Sequence, residues 1–229
     1  MPFGMIVLLI ILLLGSIWSV NKKKLTIGGA IAGSIIAILI FSGTGFTGLT
    51  LMIAFFVLAV LAGVIAKKRM GIQADEQRNA KQVIANSGLA ALCAISAYFD
   101  PLFAEQYTLM IAGFFSAATS DTLSSEEGNA YGSNFFDLRT LKKGNRGENG
   151  VVSFEGSIAG VIGAAVIAWT YFSMTGNPEK FLLIMAAGII GNFVDSLLGA
   201  FPERNNLIGN NMVNLLNTFS AILFVAIFG

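Results

Sequence analysis

The sequence predicts an all-α fold, a polytopic integral membrane helical bundle of about eight transmembrane helices. The first observation is the composition, because 55% of the 229 residues are hydrophobic and only 12% are charged, against about a quarter in soluble domains. The mean hydropathy is correspondingly high, at +0.76. The second observation is a series of apolar segments long enough to cross a bilayer. The third is that loops rich in Lys and Arg alternate along the chain with loops that have almost none.

Eight apolar segments are predicted as spans, in the order 3–20, 25–41, 49–66, 83–99, 107–118, 151–174, 181–200 and 207–228. The first is expected to be an anchoring helix, because its positive charges follow the apolar run and no cleavage site stands out. The fifth is short and ends in polar residues, so we expect it to stop partway or to kink. The chain is interpreted as one transmembrane domain, with three N-terminal helices in residues 1–70 and the motif-bearing helices in residues 71–229.

The basic residues predict the orientation of these spans. Thirteen of the 14 Lys and Arg residues fall in the loops after the first, third, fifth and seventh spans, and only Lys180 falls in an alternate loop. Because cytoplasmic loops carry the excess of Lys and Arg, both termini are predicted to be non-cytoplasmic. We expect the protein in the cell inner membrane, with its active site facing the cytoplasm.

The missing residue types exclude several kinds of chemistry. The chain has no histidine, which excludes a histidine general base, a histidine-ligated metal site and a Ser-His-Asp triad. Cys93 is the only cysteine, so no intrachain disulfide can form. Acid–base or metal chemistry must therefore use carboxylates, amides and hydroxyls.

Polar side chains are concentrated in the cytoplasmic halves of the last five spans, whereas the outer halves are almost free of them. A one-sided cluster fits a site that meets a water-soluble reactant from the cytosol and a lipid-borne reactant from the membrane. A transport pathway is expected to carry polar groups through to the other side, so the pattern favours an enzyme. Single amides such as Asn86 and Asn192 have the alternative role of interhelical hydrogen bonding. Asp195 lies inside a span without a basic residue on its helix face and needs a cation or a proton.

The segment 142–150 is basic and glycine-rich and leads into the sixth span. Glycines let backbone N–H groups approach an anion, and the N-terminus of the sixth helix adds partial positive charge. With Lys143 and Arg146, the segment is a candidate phosphate-binding loop; a flexible connector has the same composition. Phosphate-binding groups beside Asp121, Glu126 and Asp195, without histidine, are typical of a Mg²⁺–nucleotide site.

Four segments follow one another along the chain: RNAKQVIANSG at 78–88, SDTLSSE at 120–126, GENGVVS at 147–153 and DSLLGA at 195–200. In this order they resemble the signatures of the family of transmembrane protein 19 and plant phytyl-phosphate kinase. Glu127 and Glu148 depart from the family pattern, but neither replaces an expected ligand. More distantly, the chain is similar to CTP-dependent polyprenol kinases and lipid cytidylyltransferases.

The resemblance implies a CTP- and Mg²⁺-dependent kinase that phosphorylates an isoprenyl monophosphate to the diphosphate. Asp121, Glu126 and Asp195 are then the expected metal ligands and catalytic residues. The expected nucleotide- or substrate-binding residues are Arg78, Asn79, Gln82, Asn86, Ser124, Lys143, Asn149, Gly150, Ser153, Ser196, Asn210 and Asn214.

Two other functions stay open. The first is a CTP-dependent lipid-phosphate cytidylyltransferase, and the second is a non-enzymatic lipid or isoprenoid transporter. The expected partners are the lipid bilayer, an isoprenyl phosphate and a nucleoside triphosphate; no nucleic acid is expected, and a homo-oligomer stays open.

Overall fold

The computed structural model describes residues 2–72 and 77–229. It is a bundle whose helices are α1 (Pro2–Asn21), α2 (Ile27–Met70), α3 (Ala80–Ala85), α4 (Gly88–Phe99), α5 (Ala104–Tyr131), α6 (Phe154–Thr175), α7 (Lys180–Leu198) and α8 (Asn210–Phe228). A 3₁₀ turn occupies Pro101–Phe103, and a π-helical turn occupies Gly199–Glu203. The three short strands are β1 (Phe135–Asp137), β2 (Lys142–Lys143) and β3 (Val151–Ser153). The architecture fits the predicted integral membrane helical protein.

The predicted second and third spans both lie in α2, which is folded back on itself at Gly45. Gly45 has a φ of +62° and a ψ of −146°, a conformation outside the helical region. Leu49 packs in one cluster with Ala37 and Leu8, although 12 residues of straight helix would separate Ala37 from Leu49 by about 18 Å. The two halves of α2 therefore lie against each other.

The predicted fifth span does not stop partway. α5 is continuous over 28 residues, and its axis is bent by 119° from that of α4 across the 3₁₀ turn. The expectation of a short or kinked helix was wrong, because the backbone stays helical through the polar residues that follow the predicted span, as far as Tyr131. Residues 111–120 are all buried.

Five helices among the described residues are long and apolar enough to cross a membrane, and the α4–α5 pair would make a sixth. The predicted count of eight stays a prediction. The two counts differ because α2 is one helical stretch of 44 residues with a reversal inside it, and because α4 has only 12 residues.

α5 is the central helix, and it packs against α2, α4, α6, α7 and α8. Its approach to α6 depends on small residues: a Cβ added at Gly156 would lie 3.0 Å from the Cα of Gly128. Close backbone contact of this kind is typical of membrane helices, which pack through small side chains. It brings the polar ends of α5 and α6 together.

The strands form an antiparallel sheet in the order β2-β1-β3, which the all-α prediction did not include. β3 takes residues 151–153 from the predicted sixth span. The helix α6 begins only at Phe154, because Ser153 is its N-cap and its Oγ accepts a 3.1 Å hydrogen bond from the Gly156 N–H.

The two ends of the bundle differ in chemistry. At one end, the Arg69 guanidinium lies 5.7 Å from the centre of the Tyr131 ring, and Leu25 forms a parallel bridge with Arg78. At the opposite end, Lys180 Nζ donates a 2.8 Å hydrogen bond to the carbonyl oxygen of Gly229. The predicted alternation of basic residues fits this arrangement; the side of the membrane that each end faces stays a prediction.

Candidate functional site

A polar cleft of about 1250 Å³, including its open mouth, lies at the basic end of the bundle. Its walls come from α3, α5, α7, α8 and the sheet region. Of the fifteen predicted site residues, those lining the cleft are Arg78, Gln82, Asn86, Asp121, Ser124, Glu126, Asn149, Gly150, Ser153, Asp195, Ser196, Asn210 and Asn214. Asn79 and Lys143 are not among its lining residues.

Arg78 is held at the cleft by its backbone. Its N–H donates to the Lys24 carbonyl over 3.0 Å, and its own carbonyl accepts from the Thr26 N–H over 3.1 Å. Burial lowers the pKa of the Arg78 guanidinium, and the negative charge of Glu126 opposes that effect. The guanidinium nevertheless stays protonated, because the ordinary pKa of arginine is above about 12. A partly desolvated cation of this kind is suited to binding an anion.

Asn79 caps α3 and does not face the cleft. Its side-chain oxygen accepts from the Gln82 N–H over 3.2 Å, while Gln82 Oε1 accepts from the Asn79 N–H over 2.9 Å. These two bonds form a capping box, which satisfies backbone donors at the start of the helix. In the structure, the amide of Asn79 therefore caps a helix, whereas from the sequence we expected it to bind the nucleotide or the substrate.

Asp121 of α5 and Asp195 of α7 form the centre of the cleft. Their carboxyl groups lie within hydrogen-bonding reach of each other. Two carboxylates this close repel each other unless a proton or a cation lies between them. Asn217 of α8 donates a 2.8 Å hydrogen bond from Nδ2 to Asp195 Oδ1, and its own buried Oδ1 has no hydrogen-bond partner. Asp121 and Asn217 also line one small pocket beside the cleft, so the two carboxyl groups and the amide form one polar cluster inside the bundle.

The predicted three-carboxylate metal site is not assembled in the structure. Within the described part of the chain, no three His, Cys, Asp or Glu side chains lie close enough to hold a metal ion together. Glu126 follows Asp121 by five residues, which turns it about 140° around the axis of α5. It therefore faces α2, where a Cβ on Gly63 would be 3.6 Å from Glu126 Oε1. Asp121 and Asp195 remain together, and Glu126 lies apart from them.

The glycine-rich turn at 147–150 is packed on the end of α7. Gly150 has a φ of +73°, and a Cβ added to it would lie 2.2 Å from the Cα of Ala200. Only glycine fits this conformation and this contact. Asn149, Gly150 and Ser153, three of the predicted binding residues, line the cleft. A sheet and a tight turn place them there, instead of the expected loop and helix.

The basic side chains of the predicted phosphate-binding loop do not line the cleft. Lys143 is on β2, the exposed outer strand of the sheet. Arg146 donates to the Gly132 carbonyl over 3.2 Å, and its guanidinium lies 5.5 Å from the centre of the Phe135 ring. The predicted binding role of Lys143 stays a prediction. In the structure, segment 142–150 does not form one open loop, because the strand β2 holds its N-terminal part away from the cleft.

Two carboxylates at the cleft were missed by sequence reasoning. Glu203 lies in the π-helical turn after α7, and Glu148 lies in the glycine-rich turn. The position of Glu203 just beyond the seventh span, next to Pro202, was the available signal. With them, five carboxylates and one basic side chain line the cleft. A polyphosphate bound there needs cations to offset this negative charge.

Comparison with known proteins supports the family resemblance of the four motifs. The profile of the family described as integral membrane protein DUF92 matches residues 9–222. The chain belongs to this family. The match contains every residue named at the cleft, and it includes most of α1 and all of α2.

Three relatives illustrate the range of the family. A membrane protein of Methanocaldococcus jannaschii is 34% identical over 83% of this chain and 79% of its own length. A membrane protein of Synechocystis is 32% identical over 86% of this chain and 80% of its own. The chloroplastic protein VTE6 of Arabidopsis thaliana is 28% identical over 91% of this chain and 66% of its own. No solved structure matches the chain significantly.

Proposed function

We propose that this protein is a prenyl-phosphate kinase that transfers a phosphoryl group from a nucleoside triphosphate, CTP, to an isoprenyl monophosphate. The observation that carries the proposal is the pair Asp121 and Asp195 within a polar cleft at one end of a membrane bundle. The similarity to VTE6 and the family resemblance of the four motifs support the kinase reaction. The choice of CTP rests on the motif resemblance alone.

The donor atoms around the carboxylate pair fit Mg²⁺. This ion prefers oxygen ligands, and in phosphoryl-transfer sites it is commonly held by one or two carboxylates together with substrate phosphates. Asp121 and Asp195 would hold it, without the need for Glu126. When bound, the ion supplies positive charge to the phosphate oxygens.

Arg78 is the residue proposed to bind a phosphate group directly. It is the one basic side chain among the described residues that line the cleft, and its backbone is fixed against the start of α2. Charge-assisted hydrogen bonds from a guanidinium to a phosphate are among the stronger ones in proteins. Asn149, Ser196, Asn210 and Asn214 provide further polar groups in the cleft.

In the proposed reaction, an oxygen of the isoprenyl phosphate attacks the γ-phosphorus of CTP. The bond from that phosphorus to the β–γ bridging oxygen breaks, and CDP leaves with the electron pair. The attacking group is already an anion, so the protein does not need a strong general base. Positioning of the two phosphates and neutralisation of their charge supply most of the catalysis.

The site is proposed to face the cytoplasm of a cell inner membrane, where nucleotides are available. The thirteen basic residues in alternate loops support this orientation.

The test is incubation of the purified full-length protein in lipid nanodiscs with Mg²⁺, CTP and a panel of prenyl monophosphates. The expected products are CDP and a prenyl diphosphate, and ATP, GTP and UTP in parallel reactions establish the nucleotide. Pyrophosphate and a CMP-linked lipid would instead identify a cytidylyltransferase. Binding of prenyl phosphate without turnover of any nucleotide would overturn the enzymatic proposal and support the transporter.

A further inference from the structure

A second cavity, almost entirely apolar, lies between α1, the two halves of α2 and α3. It encloses about 880 Å³ including its opening. Most of its lining is aliphatic or aromatic, for example Leu12, Met52 and Phe56. Its length can be read from α1, where the lining residues run from Ile11 to Ser19, a distance of about 12 Å along the helix.

This cavity, the apolar groove, adjoins the polar cleft. Arg78, Gln82 and Asn86 line both cavities. A molecule that placed an anionic group at Arg78 could therefore extend an apolar chain into the groove without leaving the protein. The charge of Arg78 and the apolar walls beyond it match the two parts of one amphipathic ligand.

We propose that this groove binds the isoprenoid chain of the lipid substrate, and that α1 and α2 set the chain length that the protein accepts. The proposal rests on the proposed function, because it takes an isoprenyl phosphate as the ligand of the cleft. It assigns a role to α1 and α2, which lie outside all four motifs.

The groove has a closed inner end. Ala37 and Leu49, from the two halves of α2, line it and pack in one cluster with Leu8 of α1, which is fully buried. A chain that enters from Arg78 meets this cluster after a fixed distance. Chains that fill the groove gain apolar burial along its length, and shorter chains gain less.

The width of the groove depends on small residues where α1 faces α2. Gly15 and Gly33 line it, and the Oγ atoms of Ser16 and Ser34 are 3.2 Å apart, which joins the two helices. A Cβ added at Gly15 would meet no atom within 4 Å, and one added at Gly33 would be 3.9 Å from Val83 Cγ1. Larger side chains at these positions would therefore enter the groove without a clash in the backbone.

The first test measures chain-length selectivity in Gly15→Leu and Gly33→Leu. The ratio of kcat/KM for phytyl monophosphate to that for dimethylallyl monophosphate should fall about tenfold or more, since a few methylene groups in an apolar pocket have effects of this size. Leu13→Trp is the matched control, because it enlarges a side chain of α1 that is 63% exposed and outside the groove. An unchanged ratio in both glycine variants would overturn the proposal, whether the two activities fell together or not at all.

The second test does not depend on turnover. A phytyl monophosphate analogue with a photoreactive diazirine at the end of its chain should label the inner groove near Ile53. Labelling should fall at least about tenfold in Gly15→Leu and in the presence of excess phytyl monophosphate. Labelling elsewhere, or equal displacement by phosphatidylglycerol, would mean that bulk lipid fills the groove and would overturn the proposal. Correct labelling without any nucleotide turnover would contradict the kinase and leave the groove assignment intact.

Discussion

Asn217 Nδ2 donates a 2.8 Å hydrogen bond to Asp195 Oδ1, across the interface between α8 and α7. Asn217 is 1% exposed, so this bond lies in the interior of the bundle and fixes the carboxylate that faces Asp121. An amide that orients a metal-binding carboxylate contributes to activity without touching the substrate. If Asp195 binds the metal ion as proposed, Asn217 is a positioning residue.

The first prediction concerns this positioning bond. Asn217→Leu keeps the approximate volume of the side chain but removes the donor to Asp195. Loss of such supporting bonds typically costs about 10–100-fold in metal affinity or activity, so the Mg²⁺ concentration that gives half-maximal activity should rise by a factor in this range. Ser220→Ala is the control, because its hydroxyl bonds to the Asn217 carbonyl within the same helix. A change in melting temperature alone, with the same Mg²⁺ dependence, would assign Asn217 to packing.

The second prediction concerns the charge of Asp195. Asp195→Asn preserves the shape of the side chain but removes the charge that holds the cation. Since a catalytic metal is worth several kcal/mol of transition-state stabilisation, turnover should fall on the order of a thousandfold. Without Mg²⁺, the variant should melt at a higher temperature than the wild type, because its repulsion with Asp121 is gone. Glu179→Gln, at the other end of α7, is the charge-matched control; wild-type turnover in Asp195→Asn would remove this residue from the mechanism.

The third prediction separates two basic residues, Arg78 and Lys143, that were both predicted from the sequence to bind the nucleotide or the substrate. Arg78→Gln should raise the KM for the phosphate substrates about tenfold to a hundredfold, the range expected for a charge-assisted hydrogen bond. Lys143→Gln should stay within about twofold of the wild type, because Lys143 lies on the exposed strand β2, outside the cleft. Steady-state kinetics of the two variants provide the comparison. A larger effect at Lys143 would mean that the 142–150 segment moves onto the substrate.

The two carboxylates at the centre of the cleft could be singled out from the sequence. Asp121 and Asp195 are distinctive in sequence because carboxylates inside apolar spans are costly, and the structure places them side by side. The sequence did not show which face of α5 each carboxylate occupies. Asp121 and Glu126 are close in sequence but point to different neighbours. Their directions could be predicted only if α5 were known to be a regular helix at these residues.

Non-local contacts explain the remaining differences. β3 occupies 151–153 because these residues pair with β1, about fifteen residues earlier, and apolar residues in a strand resemble the start of a helix. The reversal of α2 depends on Gly45, one of several glycines in that stretch, and only the backbone angles distinguish it from the others. Hydropathy separates the second predicted span from the third at 42–48, but it detects neither the strand β3 nor the residue at which α2 reverses.

The fourth prediction concerns the ion pair that supports the sheet. The hydrogen bond from Arg204 Nη1, 2.9 Å from Asp137 Oδ2, lowers the pKa of Asp137, and the Arg139 N–H adds to this effect while burial opposes it. Because the pKa is lower in the folded state than in the unfolded state, the pair stabilises the protein above about pH 4 and loses this effect as the pH falls. Asp137→Asn should therefore melt below the wild type at neutral pH, with a gap that narrows below about pH 4.

Melting curves across the pH range, in one detergent, measure this gap. Asp100→Asn is the control, since it removes a carboxylate from the opposite end of the bundle. A gap that is the same at every pH would show that the variant acts through packing and not through the charge of Asp137.

The last prediction tests which end of the bundle faces the cytoplasm. Asn145 is exposed in the turn beside the cleft, and Glu179 is exposed at the start of α7, next to Lys180 at the opposite end. In a Cys93→Ser background, cysteines at Asn145 and at Glu179 should react with an impermeant maleimide from opposite sides of sealed cells. Glu179→Cys should react from outside, and Asn145→Cys only after permeabilisation, because thirteen basic residues lie in the loops predicted to be cytoplasmic. Thr140→Cys, exposed near Asn145, should react as Asn145→Cys does.

Two outcomes would contradict this prediction. Labelling of both ends from one side would contradict the alternation of spans. Labelling in the reverse order would put the cleft on the side of the membrane without nucleotides and count against the kinase.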